Sequence, residues 1–226
     1  MKTPDAVIFD LDGTLVDAFA DIAAAVNAPL DARGMPTHSI AQVNAMVGNG
    51  AVKLIERASP PGTPLEVREQ ILRDMLIYYA AHPTDHAKIY DGVPEVLKAL
   101  RERGIRLGIL SNKPHAILLN TCDVMDLTPY FDEIIGEREP DLPRKPNPQS
   151  LLAMIDRMNA KSPMLVGDGV PDGDVAQRAG VPYVAALWGS RTREQLAHLN
   201  PIAWGAQPRD LLRILLGESA FPLAPA

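Results

Sequence analysis

Ala6-Val7-Ile8-Phe9-Asp10-Leu11-Asp12-Gly13-Thr14 is the stretch that decides the fold. Four successive apolar residues with no polar alternation describe a strand covered on both faces, and such strands belong to parallel sheets flanked by helices. The run stops on two aspartates and a glycine. That places two carboxylates at a strand's carboxyl end, the edge at which open parallel sheets bind ligands.

Outward from this strand, five more segments read the same way: Ile105–Leu110 ending at Ser111, Glu133–Gly136, Met164–Gly167 ending at Asp168, Tyr183–Leu187 and a short Ile202–Trp204. Helical patterns fill the gaps between them. Val93–Arg103 has Pro94 in its first turn and Gly104 at its stop, and Pro114–Leu127, Pro148–Met158 and Asp174–Ala179 follow. Strand and helix alternate from residue 91 onward, which predicts an α/β architecture with a parallel sheet and helices on both faces. The interval between Asp10 and Ile105 breaks this rhythm. Asp17–Asp31, Ile40–Ser59 and Leu65–Ala81 read as helices with no strand among them. The predicted division is a core of residues 1–15 and 90–226 with an all-helical insertion at 16–89. No internal repeat interrupts it.

Composition sets outer limits. Of 226 residues, 46% are hydrophobic and 22% charged, an ordinary globular balance that excludes collagen, a coiled coil and wholesale disorder. No window approaches ~18 consecutive apolar residues, so no membrane span is expected. The acid at Asp5 comes too early for a secretory leader. One cysteine excludes a disulfide framework or a cysteine-built zinc site, and the expected compartment is the reducing cytoplasm. Twenty-two Lys and Arg against 28 Asp and Glu give a net charge of −6. With no basic run, nucleic acid is not an expected partner, whereas a small phosphorylated metabolite needs only a few local donors. The 21 prolines fall mainly in connections, and Phe221–Ala226 reads as a frayed tail.

The strand ends carry the chemistry. Asp10 and Asp12 follow the first, Ser111 and Asn112 the second, Lys145 lies in the loop after the third, and Asp168 with Asp172 follows the fourth. Crowded carboxylates resist ionisation unless a cation joins them. An oxygen-only donor set without His or Cys suits Mg²⁺ and a substrate phosphate. Asp10 is the candidate nucleophile and Asp12 the candidate general acid and base, which requires their environments to differ. Ser111 can hydrogen-bond a phosphate oxygen, Lys145 can neutralise charge, and Gly13 permits close backbone approach to a ligand. Lys113 reads as structural or peripheral rather than catalytic, His115 as a surface residue, His82 and His86 as solvated loop residues, Cys122 as a buried small hydrophobe, and Met46 and Met75 as apolar packing of the insertion.

Phe9-Asp10-Leu11-Asp12-Gly13-Thr14-Leu15-Val16-Asp17, Ser111-Asn112-Lys113-Pro114, Lys145-Pro146-Asn147-Pro148 and Gly167-Asp168-Gly169-Val170-Pro171-Asp172 resemble, in order, the four motifs of the haloacid dehalogenase (HAD) superfamily phosphatases. The resemblance covers the chain to about Leu216. It implies a Rossmann-like core with an inserted helical cap, and a Mg²⁺-dependent phosphomonoester hydrolase working through a phospho-aspartate. It assigns attack on phosphorus to Asp10, acid–base transfer to Asp12, and a bridge between phosphate and Asp10 to Lys145. Metal ligation falls to Asp10, the Asp12 carbonyl and Asp168, supported by Asp172. Phosphate and substrate contacts fall to Thr14, Ser111 and Asn112. Val47-Gly48-Asn49-Gly50-Ala51 and Tyr90-Asp91-Gly92-Val93-Pro94 resemble segments of phosphoglycolate phosphatases. This implies 2-phosphoglycolate as substrate, with Asn49 as a cap contact to it. Three positions depart from the pattern: Gly169 where a polar residue is usual, which loosens the loop holding Asp168; Asp174, an extra acid read as a helix start; and Ala18. Other phosphatase specificities (sugar phosphate, nucleotide or pyrophosphate), a phosphomutase and a non-catalytic relative stay open on the sequence, as does the oligomeric state.

Overall fold

β1 (Ala6–Phe9) is buried at all four positions, as its unbroken apolar run requires. A computed structural model describes residues 3–138 and 140–217 of the chain; the Phe221–Ala226 tail lies outside them. After β1 come a two-residue strand β2 (Val16–Asp17) and four helices, α1 (Phe19–Asp31), α2 (Ile40–Met46), α3 (Gly50–Ala58) and α4 (Leu65–Ala81). The short β3 (Lys88–Ile89) returns the chain to α5 (Val93–Glu102), β4 (Arg106–Pro114), α6 (His115–Val124), β5 (Glu133–Glu137), α7 (Gln149–Arg157) and β6 (Pro163–Gly167). α8 (Val170–Ala179), β7 (Tyr183–Ala186), α9 (Arg193–Leu196), β8 (Ala203–Gly205) and α10 (Asp210–Leu216) complete it.

Six strands form one parallel sheet in the order β5-β4-β1-β6-β7-β8. From β1 the chain builds outward through β4 and β5, then crosses to β6 and builds the other way. That reversal opens a crevice at the carboxyl ends of β1 and β6, where ligands of such sheets bind. Phe9 pairs with Val166 in the sheet, so Asp10 and Asp168 leave neighbouring strand ends. Alternate residues of β1 face opposite sides. Val7 and Phe9 join a core that continues into the helical segment through Val43, Ile71 and Met75, while Ala6 and Ile8 pack with Met154 and Val175.

The structure departs from the sequence reading in local ways. The interval between Asp10 and Ile105 does contain strand: β2 and β3 pair antiparallel, Val16 with Ile89 and Asp17 with Lys88. Two residues per strand are too few to leave a periodic signal. Nearby, buried Asp21 accepts hydrogen bonds from the backbone of His86 (2.9 Å) and Ala87 (2.7 Å), which ties the returning chain to α1. The expected single helix Ile40–Ser59 is two helices. Gly48 (φ +127°) takes a backbone angle a right-handed helix cannot accommodate, and the chain opens into a loop between α2 and α3, which starts at Gly50 (φ +80°). α8 begins at Val170, four residues before the expected Asp174, so Asp172 sits in its first turn and Asp174 inside the helix. β4 runs on past Leu110 through an irregular stretch to Pro114. α9 and α10 carry no counterpart in the sequence reading.

Candidate active site

The loop after β1 folds tightly, with Leu15 and Val16 donating to Leu11 O at 2.9 and 3.0 Å. Gly13 sits at φ +90°, and a Cβ there would meet Asp168 Oδ2 at 2.3 Å. The approach to Asp168 and the positive φ both demand glycine here. Asp10 lies one residue beyond β1, its amide donating to Val166 O at 2.9 Å. Its Oδ1 lies 2.9 Å from Lys145 Nζ and otherwise has no partner among the described residues.

Lys145 is buried (3% exposed). Its ammonium sits 2.7 Å from Leu110 O, 2.7 Å from Asp172 Oδ1 and 2.9 Å from Asp10 Oδ1. Three N–H donors thereby face three acceptors. Burial opposes its charge, but Asp10 and Asp172 hold it protonated, above the usual ammonium range. In this arrangement Lys145 fixes Asp10 and Asp172, and an additional phosphate oxygen has to displace one of those partners.

Asp168 is fully enclosed. Thr14 Oγ1 donates to its Oδ1 at 3.0 Å and the Ser190 amide to its Oδ2 at 2.7 Å. Burial first, then the Asp10 charge, pushes its pKa up to about 6 against the donors that lower it. Asp172 accepts from Lys145 and, through Oδ2, from the Gly169 amide at 2.9 Å. Burial raises its pKa, and the charges of Asp10 and Asp168 add to that while Lys145 opposes it. One oxygen from each of Asp10, Asp168 and Asp172 falls within 4.8 Å of the others. Three hard carboxylate oxygens, one nearly unpartnered and two held against ionisation, suit a hard divalent cation such as Mg²⁺.

Thr14 is fully buried, its hydroxyl spent on Asp168, and it does not line the cavity. The Thr14 hydroxyl, expected on substrate, is here on the Asp168 carboxylate. Gly169 has ordinary extended backbone (φ −108°), and its amide holds Asp172, so glycine there does not leave the loop unanchored.

The acids open into a cavity of about 410 Å³ between the sheet edge and the helical segment. Ser111, 4% exposed, lines it. Asn112 also lines it, but its side chain works as a staple. Nδ2 donates to Gly48 O (2.8 Å) and Lys145 O (3.0 Å), and Oδ1 accepts from Lys145 N (2.7 Å). Asn49 is on the opposite wall, its Oδ1 accepting from Arg57 Nη2 at 2.7 Å. Met75 packs in the shared core and lines the cavity, and Met46 packs against the same core. His82 and His86 are exposed and Cys122 is buried. His115 is half-buried, not on the surface: its Nδ1 accepts from Gly136 N at 3.1 Å, and burial holds its pKa below the ordinary imidazole value.

Lys113 and Arg191 carry more of this site than the sequence reading gave them. Lys113 is not peripheral. Its ammonium lies 2.9 and 3.1 Å from the two Asp12 carboxylate oxygens and bonds the Tyr79 hydroxyl of α4. Strand alternation carries the missed signal, since residue 113 repeats the face of Ser111 two positions earlier. Burial, opposed chiefly by Lys113, raises the Asp12 pKa. Arg191 lines the cavity from the loop after β7 and donates to Asn44 O (3.3 Å) and Val47 O (3.0 Å) at the end of α2. Nothing in its sequence context marks it. The same loop needs Gly189, where a Cβ would stand 2.4 Å from Asp168 Cβ.

A family model described as haloacid dehalogenase-like hydrolase matches residues 7–186. The chain is 36% identical over 208 residues to a phosphoglycolate phosphatase of Pseudomonas savastanoi pv. phaseolicola, covering 88% of this chain and 75% of that protein. It is 35% identical over 208 residues to the phosphoglycolate phosphatase of Xanthomonas campestris pv. campestris, covering 91% of each. Among solved structures, a predicted phosphoglycolate phosphatase from Haemophilus somnus 129PT superposes with a TM-score of 0.85 at 26% identity, covering 95% of this chain and 99% of that one. A predicted phosphatase from Clostridium acetobutylicum shares the fold at a TM-score of 0.84 and 22% identity, over 96% of this chain and 100% of that one.

Proposed function

The chain belongs to the haloacid dehalogenase-like hydrolase family, and from that premise we propose that it is a Mg²⁺-dependent phosphomonoester hydrolase that acts on 2-phosphoglycolate through a phospho-aspartate at Asp10. The observation that carries this reading is the pairing of Asp10, nearly unpartnered beside Asp168 and Asp172, with Asp12 held apart on its own lysine. Two carboxylates two residues apart thus have separate surroundings, which separate chemical roles require.

Asp10 attacks phosphorus, forming an Asp–O–P bond as the ester P–O bond breaks, and the departing alkoxide takes a proton from Asp12. Asp12 then takes a proton from water, whose oxygen attacks phosphorus and releases phosphate and the Asp10 carboxylate. Asp10, the Asp12 carbonyl, Asp168 and Asp172 are the residues that would hold Mg²⁺, which supplies positive charge to the clustered acids and the phosphoryl oxygens. Lys145 aims Asp10, and Ser111 with the Asn112 backbone hydrogen-bonds the phosphoryl oxygens. Residues 16–89 act as a cap that excludes water from the site, with Asn49 on its inner wall. The relatives' names support 2-phosphoglycolate.

The test is phosphate release from a panel of sugar phosphates, nucleotides, pyrophosphate and 2-phosphoglycolate, with and without Mg²⁺, using Asp10→Asn as control. The expected result is Mg²⁺-dependent release that peaks at 2-phosphoglycolate and disappears in the variant. A peak elsewhere removes the substrate assignment and leaves the chemistry. Release that persists in Asp10→Asn contradicts the chemistry itself.

A further inference from the structure

Four carboxylates crowd the sheet edge, and two buried lysines divide them. Lys145 takes Asp10 and Asp172, and Lys113 takes Asp12 alone. We propose that Lys113 is a positioning residue that aims Asp12 at the departing oxygen, and that Tyr79 makes this aim depend on the seating of the cap. The proposal builds on the reading of Asp12 as acid and base given above.

A lysine with a purely structural place on a protein surface lays its stem on apolar groups and keeps its ammonium in water. Lys113 does the opposite. Its side chain is 2% exposed and its charge ends on both oxygens of Asp12, at 2.9 and 3.1 Å. Its remaining partner is the Tyr79 hydroxyl, and the ammonium stands 4.4 Å from that ring's centroid. An ammonium has three donors, so two on Asp12 and one on Tyr79 leave none for substrate. Lys113 therefore acts through Asp12 and does not bind the reacting molecule itself.

The geometry gives this contact a direction. Asp10, Asp168 and Asp172 draw together on the metal side, while the Asp12 carboxylate turns to Lys113 and away from that cluster. The Asp12 carboxylate is thereby kept for proton transfer, while its carbonyl stays with the metal-side groups. Lys113 belongs to the core strand β4, but Tyr79 belongs to the last turn of α4 in the helical insertion, 3% exposed and on the cavity wall. Displacing the insertion removes an acceptor from a buried ammonium. Full alignment of Asp12 therefore accompanies the seated position, and protonation of the leaving group is coupled to closure over the substrate.

Leaving-group dependence separates positioning of an acid from general support of the fold. Alkoxide departure from 2-phosphoglycolate needs a proton, whereas acetate leaving acetyl phosphate, a donor of similar size, does not. The quantity to measure is the ratio of kcat/KM for these two compounds in wild type, Asp12→Asn, Lys113→Met, Lys113→Arg and Tyr79→Phe. Asp12→Asn should lower the ratio about 100-fold or more, as expected for a lost general acid. Lys113→Met should approach that loss and Lys113→Arg, which keeps a donor fork for Asp12, should recover part of it. Tyr79→Phe, which deletes one oxygen, should lower the ratio roughly tenfold through kcat rather than KM. If Lys113→Met does not fold, Tyr79→Phe alone decides. A ratio collapsed by Asp12→Asn and unmoved in the Lys113 and Tyr79 variants overturns the proposal and leaves the role of Asp12 standing. A ratio unmoved in Asp12→Asn overturns the role of Asp12 and the proposal with it.

Discussion

The sheet edge and the helical wall of the same cavity are built by different means. At the edge, Asp10 and Asp168 project from adjacent parallel strands, and Lys145, Thr14, Ser190 and Gly169 hold the acids with direct bonds. At the wall, the loop between α2 and α3 is fixed from outside: Asn112 bonds Gly48 O, and Arg191 bonds the carbonyls of Asn44 and Val47. The edge is preorganised by strand direction, and the loop between α2 and α3 is held by hydrogen bonds that cross from the sheet side. In the proposed function the sheet edge carries the chemical step and the wall covers the substrate.

That contrast can be broken first at Lys145. Lys145→Met strips the counter-charge from Asp10 and from Asp172, the latter pair 2% exposed on both sides, and breaking a buried pair in this way costs about 3–5 kcal/mol. Denaturant unfolding without Mg²⁺ should show a loss of that size. A loss under about 1 kcal/mol would mean that the edge is less preorganised than its bonds imply.

The acid cluster offers a second test. Burial and the Asp10 charge raise Asp168 from 3.8 to about 6. A carboxylate raised in the folded state favours folding below its unfolded pKa, and that contribution is lost as pH rises through the folded value. The metal-free protein should therefore lose the Asp168 contribution between pH 3.8 and about 6. Mg²⁺ should replace it: at about 100 times its Kd the ion should add about 2.7 kcal/mol above that window, and the gain should fade as protons compete within it. Thermal melts with Mg²⁺ and with chelator, followed across pH, measure both. A Mg²⁺ gain that is flat with pH would remove these acids as the binding site.

Thr14→Val is the sharper, smaller probe. It keeps the shape and deletes the hydroxyl on Asp168. Mg²⁺ affinity should fall about 10–100-fold, as for other groups that orient a ligand, read by calorimetric titration. A rise in KM with unchanged Mg²⁺ affinity would restore Thr14 as a substrate contact. The smallest effect is expected at the wall. Arg191→Ala should raise KM by roughly tenfold or less, since lost hydrogen bonds of this kind are worth about 1 kcal/mol net, with Mg²⁺ affinity unchanged.

The same contrast explains what could be read from the sequence. β1 announced itself because a strand buried on both faces is apolar throughout, and the acids after it inherit their place from sheet topology. Asp10, Ser111, Lys145, Asp168 and Asp172 therefore meet where strand order predicts. The Thr14 hydroxyl fits either a substrate or a second acid on the sequence, and the structure places it on Asp168, a partner 154 residues away. Lys113 was legible in principle from strand alternation, but its partner Tyr79 lies 34 residues away on another element. β2 and β3 are too short for a pattern, and the break at Gly48 overrode an otherwise helical run. Arg191 holds backbone carbonyls, which any sequence supplies, so nothing in its neighbours points to α2.

The central claim is that Asp10 carries the phosphoryl group. The most direct measurement is acid quench of the Asp12→Asn variant during reaction with acetyl phosphate and Mg²⁺, followed by mapping of the phosphoryl group by peptide mass spectrometry. Without its base the variant should accumulate phosphate on the peptide holding Asp10, and adding Asp10→Asn should abolish the label. Wild-type turnover with no label on Asp10 in that variant, or a label that survives Asp10→Asn, would contradict the account.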